Sequence, residues 1–247
     1  MAGHSKWKQI KRQKAINDSK RASSWTKVIR EITVAAKAGG GDPDGNPRLR
    51  LAIDQARAEN MPKENIERAI KKGTGELEGQ NYEELSYEGY GPGGAAIFIE
   101  ATTDNPNRTV AEIRHAFSRN GGNLGATGSV GWMFDRKGQV YLDAARWPED
   151  KALEDALEAG AEDFAREGDQ YVVSTAPADF HAVQDALKAK GYAIDSAELA
   201  MVPKNTVKVE GAEAERLIKL MEVLEDLDDV SKVFSNFDID AAQLAEA

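Results

Sequence analysis

Three amphipathic runs between residues 22 and 73 constrain the fold of this chain more than any other feature of the sequence. In each run apolar residues recur every three or four positions, which is the period of a helix with one buried face. The residues expected to begin these helices are Ser23 or Ser24, then Asn46 with Pro47, then Pro62. Glycines 39–41 and Gly73 are expected to end the first and third. Because the connections are short, the runs predict a small antiparallel three-helix bundle.

Beyond a polar connection over residues 73–85, the chain alternates between strand and helix patterns. An outer set comprises strands near 95–101, 130–134, 206–209 and 230–234, with helices from a Thr109–Glu112 capping box and over 213–226. An inner set comprises strands near 139–142, 163, 171–173 and 192–201, with helices near 150–157 and 180–189. Each set gives the order βαββαβ, which is typical of a ferredoxin-like unit.

The predicted fold class is therefore α+β, with an N-terminal three-helix bundle followed by two ferredoxin-like α/β domains, one inserted in the other. The predicted divisions are a basic arm (1–21), the helical bundle (22–78), an α/β domain formed by 79–136 and 204–240, and the inserted α/β domain (137–203).

Charge is distributed unevenly along this chain. The first thirty residues contain nine Lys or Arg and a single acid, Asp18. Up to Lys72 there are 17 basic and 8 acidic residues, a net charge of +9; the remaining 15 basic and 34 acidic residues give −19. A chain with this distribution of charge can bind a polyanion only through its basic end. This indicates that it binds nucleic acid in one orientation.

The candidate nucleic-acid-binding residues lie in the arm and on the sides of the predicted helices that face away from the apolar stripes. They are Lys6, Trp7, Lys8, Lys11, Arg12, Lys14, Lys20, Arg21, Lys27, Arg30, Arg48 and Arg50. Trp7 between two lysines suits stacking on an unpaired base while the lysines hold phosphate. Equally, Trp7 can anchor the arm to a neighbouring domain, and a basic face can simply be solvated.

Residue patterns for catalysis are weak. Cysteine is absent, and His4, His115 and His181 are not at metal-ligand spacing. The glycine-rich segment 121–131 lacks the lysine of a phosphate-binding loop and follows a helix instead of a strand, so we expect a tight loop that positions Trp132. We expect no enzyme activity, no cofactor and no metal site. With no signal sequence or apolar span evident, we expect a cytoplasmic protein.

Three long segments carry a resemblance to a known family. They are the opening MAGHSKW, the segment SSWTKVIREITVAAKAGGGDPDGNPRLRLAIDQARAENMPKENIERAIKKG from Ser23, and TTDNPNRTVAEIRHAFSRNGGNLGATGSVGWMF from Thr102. In this order they resemble the YebC family, whose mitochondrial members are translational activators. The resemblance implies an N-terminal helical domain with two α/β domains, and a cytoplasmic, non-enzymatic regulator of gene expression. Some members are described as probable transcriptional regulators that bind DNA, and others as ribosome-bound factors that help elongation through sequences such as proline runs.

Three functional hypotheses follow. The favoured one is a translation factor whose basic end contacts ribosomal or transfer RNA on the ribosome, because a basic arm backed by an acidic body suits insertion into a crowded RNA surface. The runner-up is a DNA-binding regulator that reads bases with Arg50, Gln55, Arg57 and Asn60. The third is a protein–protein adaptor that uses the acidic domains alone. No membrane or small-molecule partner is indicated.

Overall fold

Among the residues that the structure describes, three helices form the N-terminal unit, as predicted. A computed structural model describes residues 21–239, with side chains from Ser24 onward. The helices are α1 (Arg21–Gly39), α2 (Pro47–Ala58) and α3 (Lys63–Thr74). Their apolar stripes meet in one core, which includes Val28, Ile32, Leu49, Ile53 and Ile66. We refer to this unit as the helical bundle.

The starts of α1 and α2 test the predicted caps. Asn46 caps α2 through its side-chain oxygen, which accepts from the Leu49 amide at 3.1 Å, and Pro47 is the first helical residue, as expected. The prediction that Ser23 or Ser24 caps α1 is wrong, because the chain is already helical at Arg21. The Ser24 hydroxyl instead donates to the Glu59 carboxylate at 2.5 Å, across to the end of α2.

The inner set of predicted strands and helices is confirmed as a ferredoxin-like unit. It consists of β4 (Phe134–Asp143), α5 (Glu149–Glu158), β5 (Asp163–Glu167), β6 (Gln170–Thr175), α6 (Phe180–Ala189) and β7 (Ile194–Pro203). The strands lie in the order β5-β6-β4-β7, with every neighbouring pair antiparallel, and we call this the inserted sheet. Helices α5 and α6 cover one face over a core that includes Val140, Val173 and Leu187.

The outer sheet has the order β3-β1-β2-β9. Its strands are β1 (Glu83–Tyr90), β2 (Ala96–Thr103), β3 (Asn123–Leu124) and β9 (Val230–Ser235), and the neighbouring pairs are again antiparallel. Two helices, α4 (Pro106–Arg119) and α7 (Gly211–Asp226), pack on one face. A separate two-stranded parallel sheet joins β8 (Val207–Lys208) to β10 (Phe237–Asp238).

Several predictions for this outer unit are wrong in detail. Strand β1 was not predicted: it begins inside the segment taken as a polar connection (73–85), and it fills the sheet position expected for residues 206–209. The polar sequence of β1 lacks the apolar residues that mark a buried strand, because β1 is exposed along much of its length. The strand expected at 130–134 is a 3₁₀ turn at Gly131–Met133 followed by β4. Helix α4 begins at Pro106 with Asn105 as its cap, rather than at the Thr109 capping box.

The two sheets pack against each other through a small apolar layer. Ala96 and Phe98 on β2 meet Phe134 of β4 and Ala200 of β7, so the second face of the outer sheet is covered as well. This explains why β2 is apolar on both faces, unlike a strand with one solvated side. Within residues 21–239, no helix combines the length and apolar character needed to cross a bilayer.

Candidate nucleic-acid interface

The twelve candidate residues fall into two groups. Seven lie outside the described residues: Lys6, Trp7, Lys8, Lys11, Arg12, Lys14 and Lys20. Arg21 begins α1, and its side chain is likewise outside the description. The structure therefore places four of the predicted side chains, Lys27, Arg30, Arg48 and Arg50.

Lys27 and Arg30 face the α/β body, whereas they were expected on the solvent side of α1. The Lys27 ammonium group donates to the carbonyl of Glu225 in the last turn of α7. The Arg30 Nη1 group donates to the Asp228 carbonyl at 2.5 Å and to Asp229 Oδ1 at 2.9 Å. Cations are stabilised at the C-terminal end of a helix, where carbonyls lack intrahelical partners. These two residues therefore dock the helical bundle onto α7.

Asp229 is the centre of this contact. Its side chain is 2% exposed and accepts hydrogen bonds from Arg108 Nη2 (2.8 Å), Thr109 Oγ1 (2.7 Å) and Thr103 Oγ1 (3.2 Å), in addition to Arg30. Burial by itself raises the pKa of the Asp229 carboxyl, but the hydrogen bonds from Arg108 and Thr109 and the nearby guanidinium charges outweigh it, so the net shift is downward. We call Asp229 with Arg30, Arg108, Thr103 and Thr109 the Asp229 cluster.

Arg48 forms a second bridge between the helical bundle and the outer sheet. Its guanidinium lies between two carboxylates, with Nε 2.7 Å from Glu31 Oε1 and Nη2 2.5 Å from Glu84 Oε1 on β1. The hydrogen bond to Glu31 is the main cause of a raised Arg48 pKa, although burial opposes it. Like Arg30, Arg48 is thus neutralised within the protein, which the sequence pattern did not reveal because both acids are distant along the chain.

Arg50 lies on the side of α2 that faces the inserted unit. The neighbouring residue Leu51 packs against the apolar core beneath the inserted sheet. Burial lowers the pKa of the His181 imidazole at the start of α6, and the positive charge of Arg50 lowers it further. One side of α2 is therefore occupied by the inserted unit.

The basic side chains that remain exposed on the helical bundle lie farther along it. They are Lys37, Arg57, Lys63, Arg68, Lys71 and Lys72. Lys63 is 88% exposed and lies 3.3 Å from Glu67, and Arg57 is 71% exposed and 3.5 Å from Asp54. Both pairs are solvent-exposed and weak. These six residues were absent from the predicted site, although their positions outside the apolar stripes are visible in the sequence.

A cleft of about 690 Å³ opens where the helical bundle and both sheets meet. Its wall includes Arg48 and Glu84 from the bridge just described, together with Phe98, Arg136 and His181. Arg136 is paired with Glu100 at 3.8 Å. The cleft is therefore lined by mixed and largely compensated charge. Among the described residues, no group of three or more His, Asp and Glu side chains is arranged to hold a metal ion.

Two family models together match most of this chain. Residues 5–76 match the family model described as the TACO1/YebC protein N-terminal domain, and residues 82–237 match the one described as the TACO1/YebC second and third domain. The chain belongs to the TACO1/YebC family. The boundary between the two matches falls in the segment between α3 and β1, where the helical bundle gives way to the outer sheet.

Relatives in this family carry a regulatory name. A probable transcriptional regulatory protein from Gemmatimonas aurantiaca is 59% identical over 247 residues and is covered completely, as is this chain. Another protein so named, from Geobacter sulfurreducens, is 56% identical, covering 99% of this chain and 98% of the relative. A crystal structure of a conserved hypothetical protein from Aquifex aeolicus superposes with a TM-score of 0.84 at 48% identity, covering 90% of this chain and 92% of that one.

Proposed function

We propose that this TACO1/YebC protein is a non-enzymatic, nucleic-acid-binding regulator of gene expression that acts in the cytoplasm as a ribosome-bound translation factor. Its basic N-terminal part contacts ribosomal or transfer RNA, and it assists elongation through difficult sequences such as proline runs. The observation that carries the proposal is the charge polarity, +9 up to Lys72 against −19 for the rest. The net positive charge of the first part attracts phosphate, whereas the net negative charge of the second disfavours phosphate except beside an exposed cation.

Within the basic part, some cations position the helical bundle and others are available to contact RNA. Arg30 and Arg48 hold the helical bundle against the outer sheet through carboxylates, so we assign them a positioning role. Within this part, contact with RNA phosphate then falls to the basic arm and to the exposed cations of α3. In α3, Lys71 and Lys72 lie in the last turn, where they also complement the helix dipole.

The placement of α2 supports RNA over duplex DNA. Reading base pairs in the major groove requires a helix that protrudes from the protein. One side of α2 is covered by the inserted unit at Leu51, and Arg50 on that side is half-buried. Asn60 lies beyond the helix with a φ of 57°, so it does not extend the face that carries Gln55.

Binding to ribosomes tests the proposal directly. Reversing charge at Lys11, Arg12 and Lys14 is expected to abolish co-sedimentation with ribosomes, because these residues belong to the most basic segment. The double variant Lys71→Glu/Lys72→Glu is expected to weaken binding to a single-stranded RNA and to reduce the slope of log K against log salt by about 1.4, or about 0.7 per phosphate contact.

A matched control places the same charge change on the acidic part. Lys188→Glu/Lys219→Glu alters two exposed lysines of α6 and α7, and it is expected to leave ribosome binding nearly unchanged. Equal loss in both double variants would show that only net charge matters and would refute a defined basic interface.

The regulatory names of the relatives favour one alternative, a DNA-binding transcriptional regulator. That function requires a particular duplex to be bound far more tightly than random DNA at physiological salt, typically by about 10³-fold or more. A specific-to-random ratio near one, together with retained ribosome binding, would exclude it.

A further inference from the structure

Two aromatic side chains are exposed at the end of the outer sheet that lies away from the helical bundle. Trp132 is 65% exposed and Tyr90 is 37% exposed. Tyr90 ends β1, and Trp132 lies in the turn that follows the glycine-rich segment 121–131. Neither ring belongs to the Asp229 cluster or to the cleft. Leaving this much aromatic surface in water forfeits burial energy, so the pair calls for an explanation.

The loop that carries Trp132 is held rigidly. The Glu88 side chain points into it, and its carboxylate accepts from the amides of Gly128 (2.8 Å), Val130 (2.7 Å) and Gly131 (2.6 Å). Burial raises the pKa of Glu88, but these three hydrogen bonds more than offset it, so the carboxylate is charged at neutral pH. Gly128 adopts a φ of +85°, a conformation that favours glycine. The indole is therefore presented at little cost in backbone entropy on binding.

The polar atoms of both rings are already used within the protein. Trp132 Nε1 donates to the Ser129 carbonyl at 3.2 Å, and the Tyr90 hydroxyl donates to the same oxygen at 3.1 Å. These two donors are therefore directed inward, and what the pair presents outward is mainly aromatic ring surface. A partner is accordingly recognised through stacking rather than through directional hydrogen bonds from these groups.

One basic side chain contacts Trp132, and another lies at the start of the glycine-rich segment that leads to it. Lys204 Nζ donates to the Trp132 carbonyl at 3.0 Å and lies 3.2 Å from Asp135, while remaining 46% exposed. At the start of the glycine-rich segment, the Arg216 guanidinium lies 3.9 Å from where a Cβ on Gly121 would lie. Aromatic faces beside cations are the combination that binds single-stranded nucleic acid.

We propose that Trp132 and Tyr90 form a stacking platform for an unpaired nucleobase of an RNA strand, with Lys204 and Arg216 close to the adjoining phosphates. A duplex does not fit this role, since its base faces are covered by neighbouring bases. The strand β2 separates this platform from the helical bundle by about 23 Å, at about 3.3 Å per residue. The protein thus has two contacts with RNA, one for phosphate and one for a base. The inference rests on the proposed function in taking RNA as the partner.

The test compares two strands of equal charge. The full-length protein is titrated against a fluorescently labelled single-stranded RNA dodecamer of adenosine and against an abasic dodecamer with the same phosphates. Trp132→Ala is expected to weaken binding to the adenosine strand by about tenfold or more, as for loss of one base–aromatic stack, and to leave the abasic strand unchanged. Trp132→Phe, which keeps an aromatic face, is expected to retain most of the affinity.

The matched control is Leu157→Ala, which removes a similarly exposed apolar side chain (54% exposed) from α5 and is expected to alter neither titration. Circular dichroism checks that each variant keeps its fold. An unchanged affinity of Trp132→Ala for the adenosine strand would overturn the platform, and so would an equal loss on both strands. If Trp132→Ala lost binding to a basic peptide but kept its affinity for both RNA strands, the surface would be assigned to a protein partner instead.

The two proposals fail separately. If charge reversal at Lys11, Arg12 and Lys14 abolishes ribosome binding while Trp132→Ala binds RNA as tightly as the unaltered protein, the proposed function stands and the platform is refuted. If Trp132→Ala selectively loses the adenosine strand while ribosome binding is absent even in the unaltered protein, the platform stands and the ribosomal role falls.

Discussion

Replacing Asp229 by Asn tests whether the Asp229 cluster holds the helical bundle to the body. The change keeps the side-chain shape but removes the negative charge that faces Arg30 and Arg108. Removing one partner of a buried ion pair costs about 3–5 kcal/mol, and we expect the lower end, about 3 kcal/mol, because Arg108 is 42% exposed and can be hydrated. That free energy corresponds to an increase of more than about a hundredfold in the equilibrium constant for local opening around the cluster.

Hydrogen exchange is the suitable assay, because a protein of several units need not unfold in one step. The Thr102 amide donates to the Asp229 carbonyl at 2.8 Å, so peptides covering β2 and β9 report on the cluster. Their protection is expected to fall by about a hundredfold in Asp229→Asn, while peptides of the inserted sheet keep theirs. The matched control is Asp228→Asn, since the exposed Asp228 contacts Arg30 through its backbone carbonyl.

Acid dependence gives a second measure of the same cluster. A carboxyl whose folded pKa lies below its unfolded value, about 3.9 for Asp, contributes stability that is fully present above that value and is lost as the pH falls through the folded pKa. The unaltered protein should therefore lose stability below about pH 4 more steeply than Asp229→Asn in urea titrations followed by circular dichroism. Equal slopes, or protection unchanged by the substitution, would refute the role assigned to the cluster.

Three further substitutions probe other parts of the fold. Gly73→Ala would place a Cβ 2.3 Å from the Thr33 carbonyl oxygen, where α1 contacts α3, so we expect the free energy of unfolding to fall by about 2–3 kcal/mol and the melting temperature to fall with it. Gly45→Ala is the control: its Cβ would have its nearest neighbour at 3.9 Å, so the melting temperature should change little. Burial and the hydrogen bond to Asp155 raise the pKa of Tyr192 to about 12, so Asp155→Asn should lower that pKa in a spectrophotometric titration, and an unchanged curve would contradict the contact. Glu88→Gln should destabilise the loop by about 2 kcal/mol and make segment 121–131 more sensitive to limited proteolysis.

The elements that the sequence predicted well are those whose signals are local. Asn46 followed by Pro47 marks the start of α2 because both act within one helical turn. The inner set of strands and helices was likewise read correctly, since each strand is buried on a face that its apolar residues mark. Strand β1 was missed for the opposite reason, because its polar, largely exposed sequence lacks that signal.

The site residues show the same contrast. Sequence alone shows that the positive charge is concentrated before Lys72, because charge along a chain can be counted. It did not show that Arg30 and Arg48 face inward, since their partners Asp229 and Glu84 lie 199 and 36 residues away. The exposed cations of α3 were visible in the helical period but were not included among the predicted contacts.

The sequence by itself determined the fold class, the family and the polarity of charge, because these depend on composition and short-range pattern. Tertiary structure alone decided which cations are neutralised, which strand completes the outer sheet, and that Tyr90 and Trp132 share the Ser129 carbonyl. The physical reason is that ion pairing, sheet order and exposure depend on which distant segments become neighbours when the chain packs.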